Sequence, residues 1–317
     1  MTAETVQRKE YLAAGSVEEA VAALAAGARP VAGGTDLVVG ARHGKAPLPA
    51  SLVGIHRIGE LAEVTPLPDG GLSLGALVSH ATIVSHPAVL ASWNALADAS
   101  AIVGSHATRA NGTIGGNVMN GSPAMDTGAP LLCHGAVAVL TGPSGTRRVG
   151  LADLWTGPGT LSSSPDELLV AVELPGDQDT GGAGGGKLPG SAYVRLQYRR
   201  QMEIAIVGAS AVVTLSGTGP DATITDARIA ITALAPVIHR VADAEQSLVG
   251  TTGDEAAARA AGDLAAAASR PISDVRGSAD YRRAMAAVVT RRAILAAVRR
   301  ARGDALAVPA SDTTYGS

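Results

Sequence analysis

"RPVAGGTDLVVGAR", residues 29–42, and "RANGTIGGNVMNGSPAMD", residues 109–126, decide how the rest of the chain is read. Each sets a Gly-Gly pair beside a threonine: Gly33-Gly34 before Thr35, and Gly115-Gly116 after Thr113. A Gly-Gly turn can present backbone N–H groups with no side chain in front of them, and anionic oxygens approach such a nest closely. Neither stretch has the G-x-G-x-x-G spacing that opens a long helix and is answered by a ribose-binding acid, so a Rossmann site is not indicated. Two separate turns fit two sides of one pyrophosphate, though spacing alone does not name the ligand.

Working outward, "SVEEAVAALAAG" (16–27) predicts a helix, with Ser16 as N-cap, Glu19 completing a capping box and Gly27 closing it. "PVA" (30–32) reads as a short buried strand, "DLVVGAR" (36–42) as a helix and "SLVGI" (51–55) as a strand, a β-α-β opening. Residues 71–79 are strand-like, 80–101 helical and 127–135 a short helix. Strands over 136–140 and 167–175 follow, with "GPSG" (142–145) as a hairpin turn between elements. The stretch 176–190 has the composition of a linker. It is a near miss to a P-loop, because Leu188 stands where Mg²⁺ needs a Ser or Thr. Beyond it come three strands (191–199, 204–216, 223–234) and helices near 240–249, 254–269 and 280–302. In the last helix Tyr281, Met285, Val288, Leu295 and Val298 share one face. The tail 304–317 reads as loose.

Composition narrows the class. The chain has 317 residues, enough for two domains, and 46% are apolar, yet Phe is absent and aromatics make up 2%. The core must therefore be built from Ala, Val, Leu and Ile. A net charge of −3 gives no footprint for nucleic acid or an anionic membrane. One cysteine, Cys133, excludes intrachain disulfides, cysteine-rich zinc sites and any iron–sulfur cluster held by this chain alone. It fits a reducing compartment. No apolar signal segment opens the chain and no stretch reads as a transmembrane helix, so the expected location is cytoplasmic. No His spacing fits a metal; His80 and His86 read as structural, and Cys133-His134 is no dyad, since adjacent side chains rarely face each other.

"AGGTDL" (32–37) followed by "TIGGNVMNGSPAMD" (113–126) resembles the FAD-binding subunits of the molybdenum hydroxylases: xanthine dehydrogenases, aldehyde oxidoreductases and aerobic carbon monoxide dehydrogenases. The resemblance covers nearly the whole chain, through "LVGIHRIGEL", "GALVSHATI", "PDELLVAVELP", "YVRLQYRRQMEIAIVGAS", "DARIAITALAP" and "SADYRRAMAAVVTRRAI". It implies an α+β chain: a vanillyl-alcohol-oxidase-type (PCMH-type) FAD-binding domain over 1–176, with a break between subdomains near 56. A linker over 177–190 and a smaller α+β domain over 191–303, a three-stranded sheet with helices, would follow. It also implies non-covalent FAD, a small subunit with two [2Fe–2S] clusters and a large subunit with the molybdenum cofactor (molybdopterin), in a dimer of heterotrimers. Electrons would pass to NAD⁺, a quinone or O₂. The branch with an extra [4Fe–4S] cluster on four cysteines is excluded by the single Cys133.

Position by position, the resemblance carries FAD contacts onto Pro30, Val31, Ala32, Gly33, Gly34, Thr35, Asp36 and Leu37, and onto Thr113, Ile114, Gly115, Gly116 and Asn117. It adds Val103 and Leu169 beside the flavin and Asp126 near the ribityl chain. Arg195 would stand at the polar edge of the ring, where many relatives have Lys, and Tyr193 on or near it. Other roles stand beside these: Asp126 as a helix cap, Arg195 as a surface strand residue, Tyr193 as packing. No catalytic acid, base or nucleophile is expected, because a cofactor carries the chemistry and the protein orients it. The first functional reading is a xanthine-dehydrogenase-like electron-transfer subunit and the second a carbon monoxide dehydrogenase medium subunit. Readings of another class are a standalone flavin oxidase, which would need a base and a larger substrate domain, and a flavin-free scaffold.

Overall fold

A computed structural model describes residues 10–44, 46–176, 189–199, 201–217 and 219–314. Strands β1 (Glu10–Ala13), β2 (Arg29–Val31) and β3 (Ser51–Gly54) form a parallel sheet in the order β1-β3-β2. Parallel strands need crossovers; α1 (Val17–Ala25) carries the chain from β1 to β2, past the place that β3 fills between them. The Ser16 hydroxyl accepts from Glu19 N–H at 3.2 Å, and Glu19 Oε2 accepts from Gly15 N–H at 2.8 Å, which fixes where α1 begins. Gly27, at φ +91°, lets the chain turn out of it into β2. Val17, Val21 and Leu24 pack with Val53, Ile55 and Leu61 into a core of their own. Helix α2 (Thr35–Arg42) follows β2 and has no buried residue.

The second subdomain is an antiparallel sheet of β4 (Val64–Pro66), β5 (Leu72–Gly75), β6 (Val137–Gly142), β7 (Gly145–Gly150) and, further along the chain, β10 (Leu168–Leu174), in the order β4-β5-β10-β6-β7. Between β5 and β6 run α3 (His80–Ser85), α4 (Pro87–Ser92), α5 (Asn94–Ala101), α6 (His106–Asn111), α7 (Ile114–Asn120) and α8 (Gly128–Cys133). Between β7 and β10 lie α9 (Leu151–Leu154) and the small pair β8 (Trp155–Gly157) and β9 (Thr160–Leu161). The β6–β7 hairpin turns where expected, with Gly142 opposite Gly145.

The C-terminal domain has β11 (Gly190–Leu196), β12 (Val207–Leu215), β13 (Ile224–Thr232) and β14 (His239–Arg240) in that spatial order, covered by α10 (Ala242–Leu248), α11 (Glu255–Ala268) and α12 (Ala279–Ala301), with α13 (Ala310–Thr314) at the end. The three expected strands are joined by a fourth of two residues. Of the Gly-rich linker, 177–188 lie outside the described residues.

Two expectations are corrected. Of the expected stripe on α12, Val298 is buried and Met285 and Leu295 are half-buried against the core, but Tyr281 is exposed; the face that is buried is Arg282, Ala286, Val289, Thr290, Ala293, Ile294, Ala296 and Ala297, half of it alanine. Small residues win because the neighbours come close: a Cβ on Gly262 of α11 would lie 2.6 Å from the Ala287 carbonyl oxygen, and one on Gly190 of β11 would overlap that of Ala297. Nor is the tail loose throughout. Ala310 and Ser311 of α13 are buried, and Ala310 joins the core of the C-terminal domain. Among the described residues no helix is long and apolar enough to cross a membrane.

Candidate cofactor site

The first glycine turn touches the α6–α7 turn, Asn111 and Gly112, that leads into the second pair. A Cβ added to Gly33 would overlap the carbonyl oxygen of Asn111, and one added to Gly112 would come within 3.6 Å of Thr35 Oγ1. The chain leaves β2 at Val31, turns through Gly34 at φ +68° and enters α2 with Gly34 as N-cap. Val38 N–H takes the first helical bond, to Gly34 O at 2.9 Å. The N–H groups of Gly34, Thr35, Asp36 and Leu37 find no acceptor among the described residues. Four unsatisfied donors at the positive end of a helix are what a phosphate would bind. Pro30 lies in β2 opposite Val53 and, with Ala32, leads into this turn.

The second glycine pair is built differently. It is the first turn of α7, and its donors are spent within the protein: Ile114 N–H on Val78 O (2.9 Å), Gly115 N–H on Ala76 O (3.0 Å), Gly116 N–H on Thr113 Oγ1 (3.0 Å) and Asn117 N–H on Thr113 O (3.0 Å). Thr113 is therefore a helix N-cap, and the nest expected here is closed. Gly115 serves packing, since a Cβ would stand 2.6 Å from the Ala76 carbonyl oxygen. Gly116 is exposed, with only Thr113 Oγ1 near such a Cβ, at 3.2 Å. It offers a bare surface rather than a donor. The Asn117 side-chain carbonyl accepts from Thr127 Oγ1 at 2.5 Å, which ties α7 to the loop that carries Asp126.

Asp126, Tyr193 and Arg195 come together, as one buried cluster between the domains. The side chains of Tyr193 and Arg195 share a face of β11 because residues two apart point the same way. Tyr193 OH donates to Asp126 Oδ1 at 2.9 Å, and Arg195 Nη1 to Asp126 Oδ2 at 2.6 Å. Arg195 also donates to the Ile102 carbonyl at 3.1 Å, the Glu203 carbonyl at 3.3 Å and, through Nε and Nη2, to Gln197 Oε1. These five bonds use its five N–H donors, and its residue exposure is 0%. Asp126 is thus no cap, Arg195 no surface residue and Tyr193 more than packing. Burial drives the Tyr193 hydroxyl well above its usual pKa and raises Asp126 against the pull of Arg195.

Val103 follows Ile102 at this junction, and its carbonyl accepts from Arg109 Nη1 at 3.0 Å. Leu169 is buried in β10 opposite Leu140, beside a bulge at which Val170 O accepts from Ala76 N–H at 2.9 Å. Ala76 thus links the Leu169 bulge to Gly115. Burial depresses His80 to about 4 and His134 to about 3, and lifts Cys133 to about 12, so none is poised for proton transfer near neutrality. Among the described residues no group of three His, Cys, Asp or Glu side chains could hold a metal ion.

Asp98 was missed by the sequence reading. It is fully buried in α5 and binds Arg300 of α12 through two hydrogen bonds, at 2.6 and 3.0 Å. The one signal was a carboxylate inside the apolar run 95–103, "ALADASAIV".

Residues 5–177 match a family model described as the FAD binding domain in molybdopterin dehydrogenase, and 192–297 match the CO dehydrogenase flavoprotein C-terminal domain. The carbon monoxide dehydrogenase medium chain of Afipia carboxidovorans is 34% identical over 90% of this chain and 96% of its own. A xanthine dehydrogenase FAD-binding subunit of Escherichia coli is 27% identical over 87% and 90%. Among solved structures, carbon monoxide dehydrogenase from Hydrogenophaga pseudoflava superposes with TM-score 0.83 at 33% identity, over 92% of this chain and 98% of that one. Quinoline 2-oxidoreductase from Pseudomonas putida superposes with TM-score 0.83 at 29% identity, over 93% and 98%.

Proposed function

The chain belongs to the FAD-binding subunits of the molybdenum hydroxylases, and we propose that it is the electron-transfer subunit of a heteromeric oxidoreductase. Its partners in this reading are an iron–sulfur small subunit and a molybdenum-cofactor large subunit, paired as a dimer of heterotrimers. The observation that carries the reading is the meeting of the two glycine turns at the unsatisfied N-terminus of α2.

The residues fit FAD in distinct ways. The N–H groups from Gly34 to Leu37 hold pyrophosphate oxygens, and the Thr35 hydroxyl adds a donor. Gly33 lets the two loops close on each other, and Gly116 leaves α7 bare on the ligand side. Asn117, its side-chain carbonyl engaged by Thr127, keeps its amide N–H₂ as the group available to a ligand. Val103 and Leu169 flank the ring. Arg195, whose donors are all engaged, acts on the ring through fixed charge rather than through a donated hydrogen bond. When bound, FAD supplies redox chemistry, taking electrons singly from iron–sulfur clusters and passing a pair to NAD⁺, a quinone or O₂.

Identity is higher to the carbon monoxide dehydrogenase medium chain, 34%, than to the xanthine dehydrogenase subunit, 27%. The carbon monoxide dehydrogenase branch is therefore better supported, which reverses the order expected from the residues alone. A nicotine 6-hydroxylase medium subunit is also 30% identical, so substrate choice belongs to the large subunit in this reading.

The test is division of labour. Purified alone, the chain holds FAD non-covalently and passes electrons from NADH to an artificial dye at most. Oxidation of CO, a purine or an aldehyde appears only on co-expression with both partners. Rapid reduction of the isolated chain's flavin by such a substrate would mean a self-sufficient oxidase, and a flavin-free folded chain would mean a scaffold.

A further inference from the structure

β11 is the edge strand of the C-terminal sheet, and alternate backbone groups along its free side lack a partner strand. Three of those beside the cluster are covered, and by different means. The Ser191 carbonyl accepts from Arg300 Nη1 at 2.7 Å. Tyr193 N–H donates to Asp98 Oδ2 at 3.1 Å, and Arg195 N–H to Ser311 Oγ at 3.1 Å. Asp98 Oδ1 also accepts from Ala310 N–H at 2.9 Å, and Arg300 Nη2 donates to the Ala307 carbonyl at 3.2 Å. One buried carboxylate thus binds α5 of the first domain, β11, α12 and α13. Tyr193 is read twice by the first domain: its backbone by Asp98, its hydroxyl by Asp126.

We propose that residues 307–311 are a C-terminal latch, and that Asp98, Arg300 and Ser311 are positioning residues that hold β11 in register so that Tyr193 and Arg195 meet Asp126 beside the flavin. The latch itself stands on contacts within this chain; its effect on flavin rests on the reading above. A strand edge held only on one side can shift and twist. A shift of β11 would carry the Arg195 charge with it, since the guanidinium is fixed to β11 and its own loop as well as to Asp126.

The test uses the full chain, a chain ending at Leu306, Ser311→Ala and, as reference, Arg195→Gln. The phosphate loops are untouched in the first three, so FAD stoichiometry stays at the full-chain value. In Ser311→Ala the Arg195 amide hydrogen exchanges about tenfold faster, the factor set by one lost hydrogen bond of about 1.4 kcal/mol. The flavin's visible circular dichroism and midpoint potential move in the direction seen in Arg195→Gln, further in the shortened chain than in Ser311→Ala, and Ser311→Thr restores them. Amide exchange, circular dichroism and potential that superpose on those of the full chain overturn the latch. Should the shortened chain fail to fold, Ser311→Ala decides alone. If the full chain carries no flavin, the functional reading fails, and the amide-exchange comparison still judges the latch.

Discussion

Gly33→Ala isolates the step on which the candidate site depends. The added methyl would overlap the carbonyl oxygen of Asn111, which is backbone at the end of α6 and cannot swing aside as a side chain can. The collision is relieved only by parting the β2–α2 turn from the α6–α7 turn. Overpacking of this kind costs about 1–3 kcal/mol. If the two loops must close again around FAD, the cost falls on binding, and at 1.4 kcal/mol per decade the affinity drops roughly 5- to 140-fold. Gly40→Ala is the control. It lies in α2, which follows the Gly33 turn, a Cβ there meets nothing within 4 Å, and the substitution favours helix by about 1 kcal/mol. The assay is titration of the flavin-stripped protein with FAD, followed by quenching of flavin fluorescence, with thermal unfolding in parallel. The expected result is a weakened Gly33→Ala and an unweakened Gly40→Ala, both folded. Equal affinities for Gly33→Ala and the parent chain would refute the argument that contact between the loops builds the site.

Gly116→Val, at an exposed position with only Thr113 Oγ1 near, should leave the apo protein folded and remove FAD from the purified chain, because the branched side chain fills the ligand's side of α7; full FAD content would take Gly116 out of the site. Arg195→Ala should cost about 3–5 kcal/mol in urea unfolding, since it strands the buried Asp126 carboxylate, and Asp126→Asn in the same chain should recover part of it; additive losses would count against the pairing. His80 is held neutral by burial, with its pKa near 4 against 6.5 unfolded. The unfolded chain then binds the extra proton first, so this contribution is full above pH 6.5 and lost as pH falls toward 4. The stability difference between the parent and His80→Gln should shift by about 3 kcal/mol between pH 7 and pH 4, and a pH-independent difference would show that His80 titrates in the fold as it does in the unfolded chain.

The parts of this molecule that were legible are those whose causes are local. Ser16, Glu19 and Gly27 mark both ends of α1 within a dozen residues, and the Gly33-Gly34 pair marks the β2–α2 turn because the left-handed backbone at Gly34 disfavours other residues. The second pair misled for a local reason too. Thr113 followed three residues later by Gly116 is a side-chain cap, and capping consumes the donors that a bare reading of the glycines leaves free. In α12 bulk was taken for burial, yet alanines were chosen because two backbones, those of α11 and β11, pass close by.

What could not be read is the set of partners. Alternation puts Tyr193 and Arg195 on one face of β11, but nothing in the strand says that the face meets Asp126, 67 and 69 residues away, or that Ser311 covers its edge from 116 residues away. Asp98 and Ala310 stand 212 apart. Such contacts carry no periodicity, and small residues like Ala310 and Ser311 look the same in a docked tail as in a free one. The usable clue was of another kind: a carboxylate in an apolar helix must be paired, because burying it alone is too costly. Applied to Asp98, that argument requires a buried cation elsewhere in the chain. In the fold that cation is Arg300, at the arginine-rich far end of the last long helix.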